Sequence, residues 1–149
     1  MAAGAPLELL ARPHEAADPI VAAAYGVPYD DAVETVNAWH AEGHFIHITS
    51  HRHPDAHDAT VAWLDAIDLR HDELHCSFDK ISRCREIGID LLIDDSPVNL
   101  QRALEAGIAG ATIAHPWNRD VLAREPGIVA AAQWRDLAAA LRPWLARAA

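Results

Sequence analysis

Short apolar runs alternate with amphipathic stretches along most of the sequence. The runs predict buried strands at 45–49, 75–78, 89–93 and 108–114. Between them, apolar residues recur at the spacing of one helical face, which predicts helices at about 32–43, 55–69, 80–87 and 97–107 and another near the C-terminus. Strands that alternate with helices of this length favour βαβ units. We therefore expect an α/β fold with a parallel sheet and helices on both of its faces.

Several predicted helices have capping residues at their ends. Asp31 and Glu34 have the spacing of a capping box. Ser96 is a favourable N-cap residue with a proline directly after it, and Gly107 can end the same helix. Residues 1–28 are rich in Ala and Pro and have no clear pattern, so this segment is poorly defined. We expect a single domain over residues 1–149.

Charge and composition restrict the classes of function. The 149 residues include 12 Lys and Arg against 22 Asp and Glu, for a formal net charge of −10. Proteins that bind nucleic acid over a broad surface neutralise many phosphates with Lys and Arg, so this function is not expected. No apolar stretch approaches the roughly 18 residues of a membrane helix, and the opening residues lack the basic leader of a signal peptide. Cys76 and Cys84 form no Cys-x-x-Cys pair, which favours a reduced, cytoplasmic protein; homo-oligomer formation is left open.

Polar residues come directly after several of the predicted strands. Thr49 and Ser50 end one strand, Lys80 follows the next, and Asp94 and Asp95 follow a third. Because ligands bind at the carboxyl ends of parallel strands, these residues predict a site for a phosphate and a metal ion. We expect Thr49, Lys80 and Asp95 to lie within about 10 Å of one another. The ordinary structural alternative for the two acids is a role as helix-capping carboxylates.

These residues, in this order and spacing, resemble the later motifs of the haloacid dehalogenase (HAD) superfamily, which consists mainly of Mg²⁺-dependent phosphatases. Residues 45–50, Lys80 and residues 91–95 resemble its second, third and fourth motifs. The resemblance implies a Rossmann-like three-layer α/β/α fold with little or no cap domain. It also implies that Thr49, Ser50 and Lys80 bind phosphate, that Lys80 acts in catalysis, and that Asp94 and Asp95 hold Mg²⁺.

Within the superfamily, the sequence is most similar to 5'(3')-deoxyribonucleotidase-like members, through residues 49–50, 92–97 and 116–119. This resemblance implies a small phosphorylated molecule as the ligand, with nucleotides among the candidates. Asn99 comes four residues after Asp95, and this spacing resembles the family's pattern of an acid followed four residues later by Asp or Asn. Arg52 and Arg119 are candidates for binding substrate phosphate or for balancing nearby acids, and Trp117 is a candidate for stacking on a base.

The first motif of the family is missing. That motif is Asp-x-Asp at the end of an apolar strand, and its first Asp is the nucleophile. No Asp-x-Asp occurs in this sequence, and residues 7–10, with Glu8, are the one candidate remnant. Either the chain starts downstream of its first strand or the scaffold has lost the chemistry, so we expect impaired hydrolysis or none. In the family this strand is central, so its place would be empty unless Pro6–Arg12 or a partner chain supplies a strand.

Two other functions remain open. One is a non-catalytic HAD-like scaffold that binds a phosphate ligand or a protein partner. The other is a histidine-rich metal-binding module, because imidazole is a common metal ligand. Its candidate ligands are His44, His47, His51, His53 and His57.

Overall fold

The structure, a computed structural model, describes residues 2–6, 11–12 and 27–147, with side chains from residue 28 onward. Within this part of the chain, six strands form one sheet whose pairings are all parallel. Its strands are β1 (Ala2–Pro6), β4 (Phe45–Ser50), β5 (Glu73–Cys76), β6 (Leu91–Ile93), β7 (Ala109–Ile113) and β8 (Val129–Ala131). Their order across the sheet is β5-β4-β1-β6-β7-β8. A separate antiparallel pair joins β2 (Ala11–Arg12) and β3 (Val27–Pro28).

Helices connect the strands of the large sheet. They are α1 (Ala32–Ala41), α2 (His57–Ala66), α3 (Lys80–Glu86), α4 (Pro97–Glu105), α5 (Arg119–Arg124) and α6 (Trp134–Arg147). Short 3₁₀ turns at Pro54–Ala56 and Pro116–Asn118 precede α2 and α5. No helix in the described part of the chain is both long and apolar enough to cross a membrane.

The core has a layer on each face of the sheet. On one face, α1, α2 and α6 pack against Ile46 and Ile48 of β4 and against Leu91 and Ile93 of β6. On the other face, Leu92 of β6 packs with residues of α3 and α4. Successive residues of β6 therefore contribute to opposite layers, as expected for a strand buried on both sides. The predicted three-layer α/β/α architecture with a parallel sheet is confirmed.

The central place in the sheet is filled by β1. Ala2 pairs with Phe45 and Pro6 pairs with Thr49 on one side, and Ala3 pairs with Leu91 on the other. The expectation that Pro6–Arg12 or a partner chain would supply this strand is wrong, because Ala2–Pro6 fills the place and Ala11–Arg12 belongs to the separate antiparallel pair. Ala and Gly give no apolar alternation in the sequence, yet the backbone of a central strand can still form hydrogen bonds with two neighbours.

Other elements differ from their predictions in position. β5 begins at Glu73 rather than His75, because its ladder with β4 pairs Glu73 with His47. β8 was not predicted, since its sequence is mostly Ala. The capping box predicted for Asp31 is wrong, because this residue has a φ of 64° and its side chain makes no capping hydrogen bond. The cap predicted for α4 is present, with the Ser96 side chain accepting a hydrogen bond from the Asn99 backbone amide.

Candidate phosphate and metal site

The carboxyl edge of the sheet brings the ends of β4 and β6 to either side of β1. Thr49 pairs with Pro6, the last residue of β1. On the other side, Gly4 pairs with Leu92, and this register continued along the strands places Asp94 level with Pro6. Thr49 and Asp94 are thus two strand spacings apart, which is about 10 Å. The sheet order therefore places both of them around the end of its central strand.

The hydroxyl groups of Thr49 and Ser50 are buried without hydrogen-bond partners among the described residues. The Ser50 carbonyl, in contrast, accepts a hydrogen bond from the Ser77 amide at 3.0 Å. A buried polar group that lacks a partner costs about 1 to 3 kcal/mol, and native proteins leave few of them. Each of these hydroxyls, at the end of β4, is suited to donate to a ligand with acceptor oxygens that binds beyond the sheet edge.

Lys80 and Asp94 form a buried ion pair. Both side chains are at least 95% buried, and Lys80 Nζ lies 3.6 Å from Asp94 Oδ2. Asp94 Oδ1 also accepts a hydrogen bond from the Ser96 amide at 2.8 Å, and Oδ2 accepts one from Asn99 Nδ2 at 3.0 Å. The chain therefore compensates this buried carboxylate with a cation and two donors. Asn99, predicted as a possible site residue, orients Asp94.

Asp95 is half-buried, and its backbone is held by a side chain that sequence reasoning did not single out. Asn118 Nδ2 lies 3.3 Å from the Asp95 carbonyl oxygen. The same nitrogen donates to Thr112 Oγ1 at 3.2 Å and to the Ile113 carbonyl at 3.0 Å, and Asn118 Oδ1 accepts from the His115 amide. Asn118 is fully buried. The sequence signal that could have identified Asn118 was an Asn in the polar turn directly after a strand.

Three further candidates follow strands at the same edge. Trp117 is 57% exposed, and its ring stacks on His115 with centroids 4.2 Å apart and planes 10° apart. Arg52 follows β4, is half-buried, and has Nη1 3.4 Å from Thr60 Oγ1. Arg119 is exposed at the start of α5. The two arginines thus lie on opposite sides of β1.

The histidines do not come together. His44 and His47 are buried, whereas His51, His53 and His57 are exposed. The exposed three have separate neighbours: His51 packs edge-on against Phe78, and the other two lie beside Asp55 and Asp58. Across the residues that the structure describes, no group of three His, Cys, Asp or Glu side chains could hold a metal ion.

Two buried groups near the site have altered pKa values. Burial lowers the pKa of His47 from 6.5 to about 4, against the opposing effect of nearby Glu73. Burial, reinforced by the charge of Asp94, raises the pKa of the Cys84 thiol to about 11. Both side chains are therefore neutral at pH 7. A neutral thiol is a weak nucleophile, so Cys84 is not suited to covalent chemistry.

The residues at this edge fit a Mg²⁺ ion that also binds phosphate. Mg²⁺ is commonly held by one or two carboxylates together with phosphate oxygens and several waters. Asp94 and Asp95 offer carboxylates, and the unpartnered hydroxyls of Thr49 and Ser50 offer donors to the phosphate. Asp94 is fully buried, whereas Asp95 is half-buried and accessible to a hydrated ion, so Asp95 is the better direct ligand.

Comparison with known proteins identifies the fold. No protein-family model matches the sequence, and no curated protein matches it. The solved structure of D,D-heptose 1,7-bisphosphate phosphatase from B. bronchiseptica, complexed with magnesium and phosphate, aligns with 99% of this chain and 99% of its own chain at a TM-score of 0.64 and 14% identity. D,D-heptose 1,7-bisphosphate phosphatase from Burkholderia thailandensis aligns with 93% of this chain and 96% of its own at a TM-score of 0.66 and 13% identity. The chain shares the fold of these two phosphatases.

A HAD-superfamily hydrolase from Ehrlichia chaffeensis also has this fold. It aligns with 90% of this chain and 62% of its own, with a TM-score of 0.57 and 13% identity. Sequence identities this low establish the HAD fold alone. The chemistry of this chain therefore depends on its own residues.

Proposed function

We propose that this HAD-like chain binds small phosphate monoesters, together with Mg²⁺, at the carboxyl edge of its sheet and hydrolyses them slowly or not at all. The observation that carries the proposal is that the Thr49 and Ser50 hydroxyls are buried and have no hydrogen-bond partner in the part of the chain that the structure describes. They lie across the end of β1 from the buried Lys80–Asp94 pair. A phosphate would satisfy the hydroxyls and bring negative charge to the ammonium group.

Each residue has a separate role in this proposal. Thr49 and Ser50 donate hydrogen bonds to the phosphate oxygens, and Lys80 neutralises part of the phosphate charge. Asp95 binds Mg²⁺, and Asp94 supports it while holding Lys80 in place. When bound, Mg²⁺ polarises the phosphoryl group. Positioning and charge stabilisation of this kind do not depend on a nucleophile.

The nucleophile is the missing part. In the resembling family, an Asp follows the central strand, whereas here the residues after Pro6 are Leu7 and Glu8. Glu8, the first acid after β1, lies outside the described residues. Without that Asp no aspartyl-phosphate can form. Among the described residues the hydroxyls of Thr49 and Ser50 have no hydrogen-bond partner, and so no base that would activate them for attack.

Binding and turnover test the proposal separately. Binding of inorganic phosphate is measured by calorimetry with excess Mg²⁺, in the parent chain and in a Thr49→Val, Ser50→Ala double variant. We expect saturable binding in the parent and at least a tenfold loss in the double variant, because two charge-assisted donors are removed. Thr35→Val on α1 is the matched control and leaves binding unchanged. Absence of phosphate binding by the folded parent would refute the proposal.

Turnover is measured with p-nitrophenyl phosphate and nucleoside monophosphates. We expect near-background rates in both the parent and an Asp95→Asn variant. Robust turnover that disappears in Asp95→Asn would show that another residue, with Glu8 the first to examine, acts as nucleophile. The expectation of slow hydrolysis would then be wrong.

The proposed ligand class within the phosphate monoesters is nucleotides. Trp117 supports this, because one of its faces stacks on His115 while the side chain stays 57% exposed. It follows β7, which is two strand spacings, or about 10 Å, from β1. We expect Trp117→Ala to weaken binding of nucleoside monophosphates and to leave ribose 5-phosphate unaffected, with Phe78→Ala as the control. Equal affinity for both ligands in the parent would contradict this class.

A second candidate function is a non-catalytic scaffold for a protein partner. Phe78, Val98 and Trp117, all more than half exposed, follow β5, β6 and β7 at the same edge. Partner binding that is lost in Phe78→Ala and Val98→Ala, in a chain that binds no phosphate, would favour it.

For location we propose the cytoplasm, which the free thiols of Cys76 and Cys84 support.

A further inference from the structure

The two adjacent acids of the site are held in different ways. Asp94 is fixed through its side chain, because both carboxylate oxygens accept hydrogen bonds, from Ser96 and Asn99. Asp95 is fixed through its backbone, because its carbonyl oxygen accepts from Asn118 Nδ2. Fixing the peptide group after a residue limits the movement of its Cα atom and so of the Cα–Cβ bond from which its side chain extends. Asn118 therefore acts on Asp95 without occupying its carboxylate.

The position of Asn118 suits this role. It is fully buried, and its amide oxygen accepts a hydrogen bond from the His115 amide. Its two amide hydrogens are shared among three acceptors: the Ile113 carbonyl at 3.0 Å, Thr112 Oγ1 at 3.2 Å and the Asp95 carbonyl at 3.3 Å. Three of these contacts fix Asn118 to the end of β7 and its turn. The fourth crosses to the loop after β6. The rigid end of β7 is thereby connected to the residue best suited to bind the cation.

We propose that Asn118 is a positioning residue, which orients Asp95 for cation binding by holding its backbone carbonyl against the end of β7. This inference rests on the proposed function, because the cation is the one assigned there to Asp95. The alternative is that Asn118 only stabilises the turn. The two differ in outcome, since a turn-stabilising residue would alter the stability of the protein but not its affinity for the ion.

The test compares two substitutions in the same hydrogen-bond network. Asn118→Leu removes the contact to Asp95, whereas Thr112→Val removes another partner of the same amide and leaves the Asp95 contact in place. The probe is Mn²⁺, a paramagnetic substitute for Mg²⁺, and its binding is followed by electron paramagnetic resonance. We expect Asn118→Leu to weaken Mn²⁺ binding about tenfold or more, as is usual for residues that orient a metal ligand. Thr112→Val retains the parent affinity. If Asn118→Leu does not fold, Asn118→Ser, which also lacks the amide, replaces it.

A second readout needs no ligand. The carboxyl ¹³C signal of Asp95 is expected to shift in the Asn118 variant and to stay in place in Thr112→Val. Equal Mn²⁺ affinities and an unmoved Asp95 signal, with only the melting temperature lowered, would overturn the inference. A parent chain that binds neither Mn²⁺ nor phosphate would refute the proposed function, and the Asp95 signal would still decide whether Asn118 orients Asp95.

Discussion

His47 lies fully buried in β4, with neither ring nitrogen hydrogen-bonded among the described residues. Its ionisable neighbours are Glu73, His75 and Arg83, and Glu73 Oε1 lies 3.6 Å from His47 Nδ1. Burial outweighs the attraction of Glu73 and lowers the pKa of His47 to about 4. The imidazole is therefore a neutral core group above that pH, and we assign it no metal.

This pKa predicts that acid destabilises the fold. In the unfolded chain His47 titrates near 6.5, so below that pH the unfolded state binds a proton that the folded state excludes. The stability due to neutral His47 is complete above pH 6.5 and is lost as the pH falls toward 4. We expect it to account for about 2 to 3 kcal/mol of the free energy of unfolding.

The measurement is chemical denaturation at pH 7 and at pH 4.5. His47→Leu is expected to show a smaller loss of stability between these two pH values than the parent chain. His53→Asn, which changes an exposed histidine, serves as the control and should behave like the parent. An equal loss in the parent and in His47→Leu would show that other groups cause the acid sensitivity.

The Lys80–Asp94 pair predicts a strong energetic coupling. Lys80→Met leaves a buried carboxylate without its cation, and Asp94→Asn leaves a buried ammonium group, so each is expected to cost about 3 to 5 kcal/mol. The double variant removes both charges and should cost clearly less than the sum of the single variants. A double-mutant cycle of unfolding free energies measures the coupling.

The matched control for that cycle is a more exposed pair on the same helix. Arg83 Nη1 lies 3.1 Å from Glu86 Oε2 at the surface of α3. Its coupling should stay near or below about 0.5 kcal/mol, because solvent screens exposed charges. Similar couplings for the two pairs would contradict the view that Lys80 and Asp94 interact in a desolvated environment.

At the level of elements, the sequence predicts those with strong apolar patterns and misses those without. The apolar run of β4 and the helical pattern of α1 both lead to the correct element within one or two residues. β1 and β8 consist mainly of Ala and Gly or of Ala and Val, and only their pairing with neighbours identifies them as strands. Propensity describes a segment alone, whereas strand formation depends on its partners.

The position of β1 makes a prediction for hydrogen exchange. Its backbone pairs with β4 along all five residues and with β6 at two of them. Amides in a central strand exchange mainly through global unfolding. We expect the Gly4 and Ala5 amides to be protected to the same extent as those of Ile48 and Leu92. The amide of exposed Gly127 provides the fast-exchange reference, and exchange of Gly4 at its rate would contradict the sheet order.

On the scale of the whole molecule, the sequence identified the residues of the candidate site better than it identified the order of the strands that position them. Thr49, Ser50, Lys80 and the two acids were expected at one edge because polar residues after strands are a local signal. Their arrangement around the end of β1 was not expected, because it depends on register between distant segments. The amide of Asn118 was missed for the same reason, since its contact with Asp95 joins two loops.

The central place of β1 also has a consequence for biosynthesis. Ala3 pairs with Leu91, so β1 leaves the ribosome long before one of its two neighbours exists. At about 5 to 20 residues per second, that wait is roughly 4 to 18 s. A strand whose two backbone edges stay unpaired during synthesis can pair with other chains and aggregate, above all when it is rich in β-branched and aromatic residues. β1 consists of Ala, Gly and Pro, so the sequence does not predict it as a strand. The same composition makes β1 a poor template for pairing with other nascent chains.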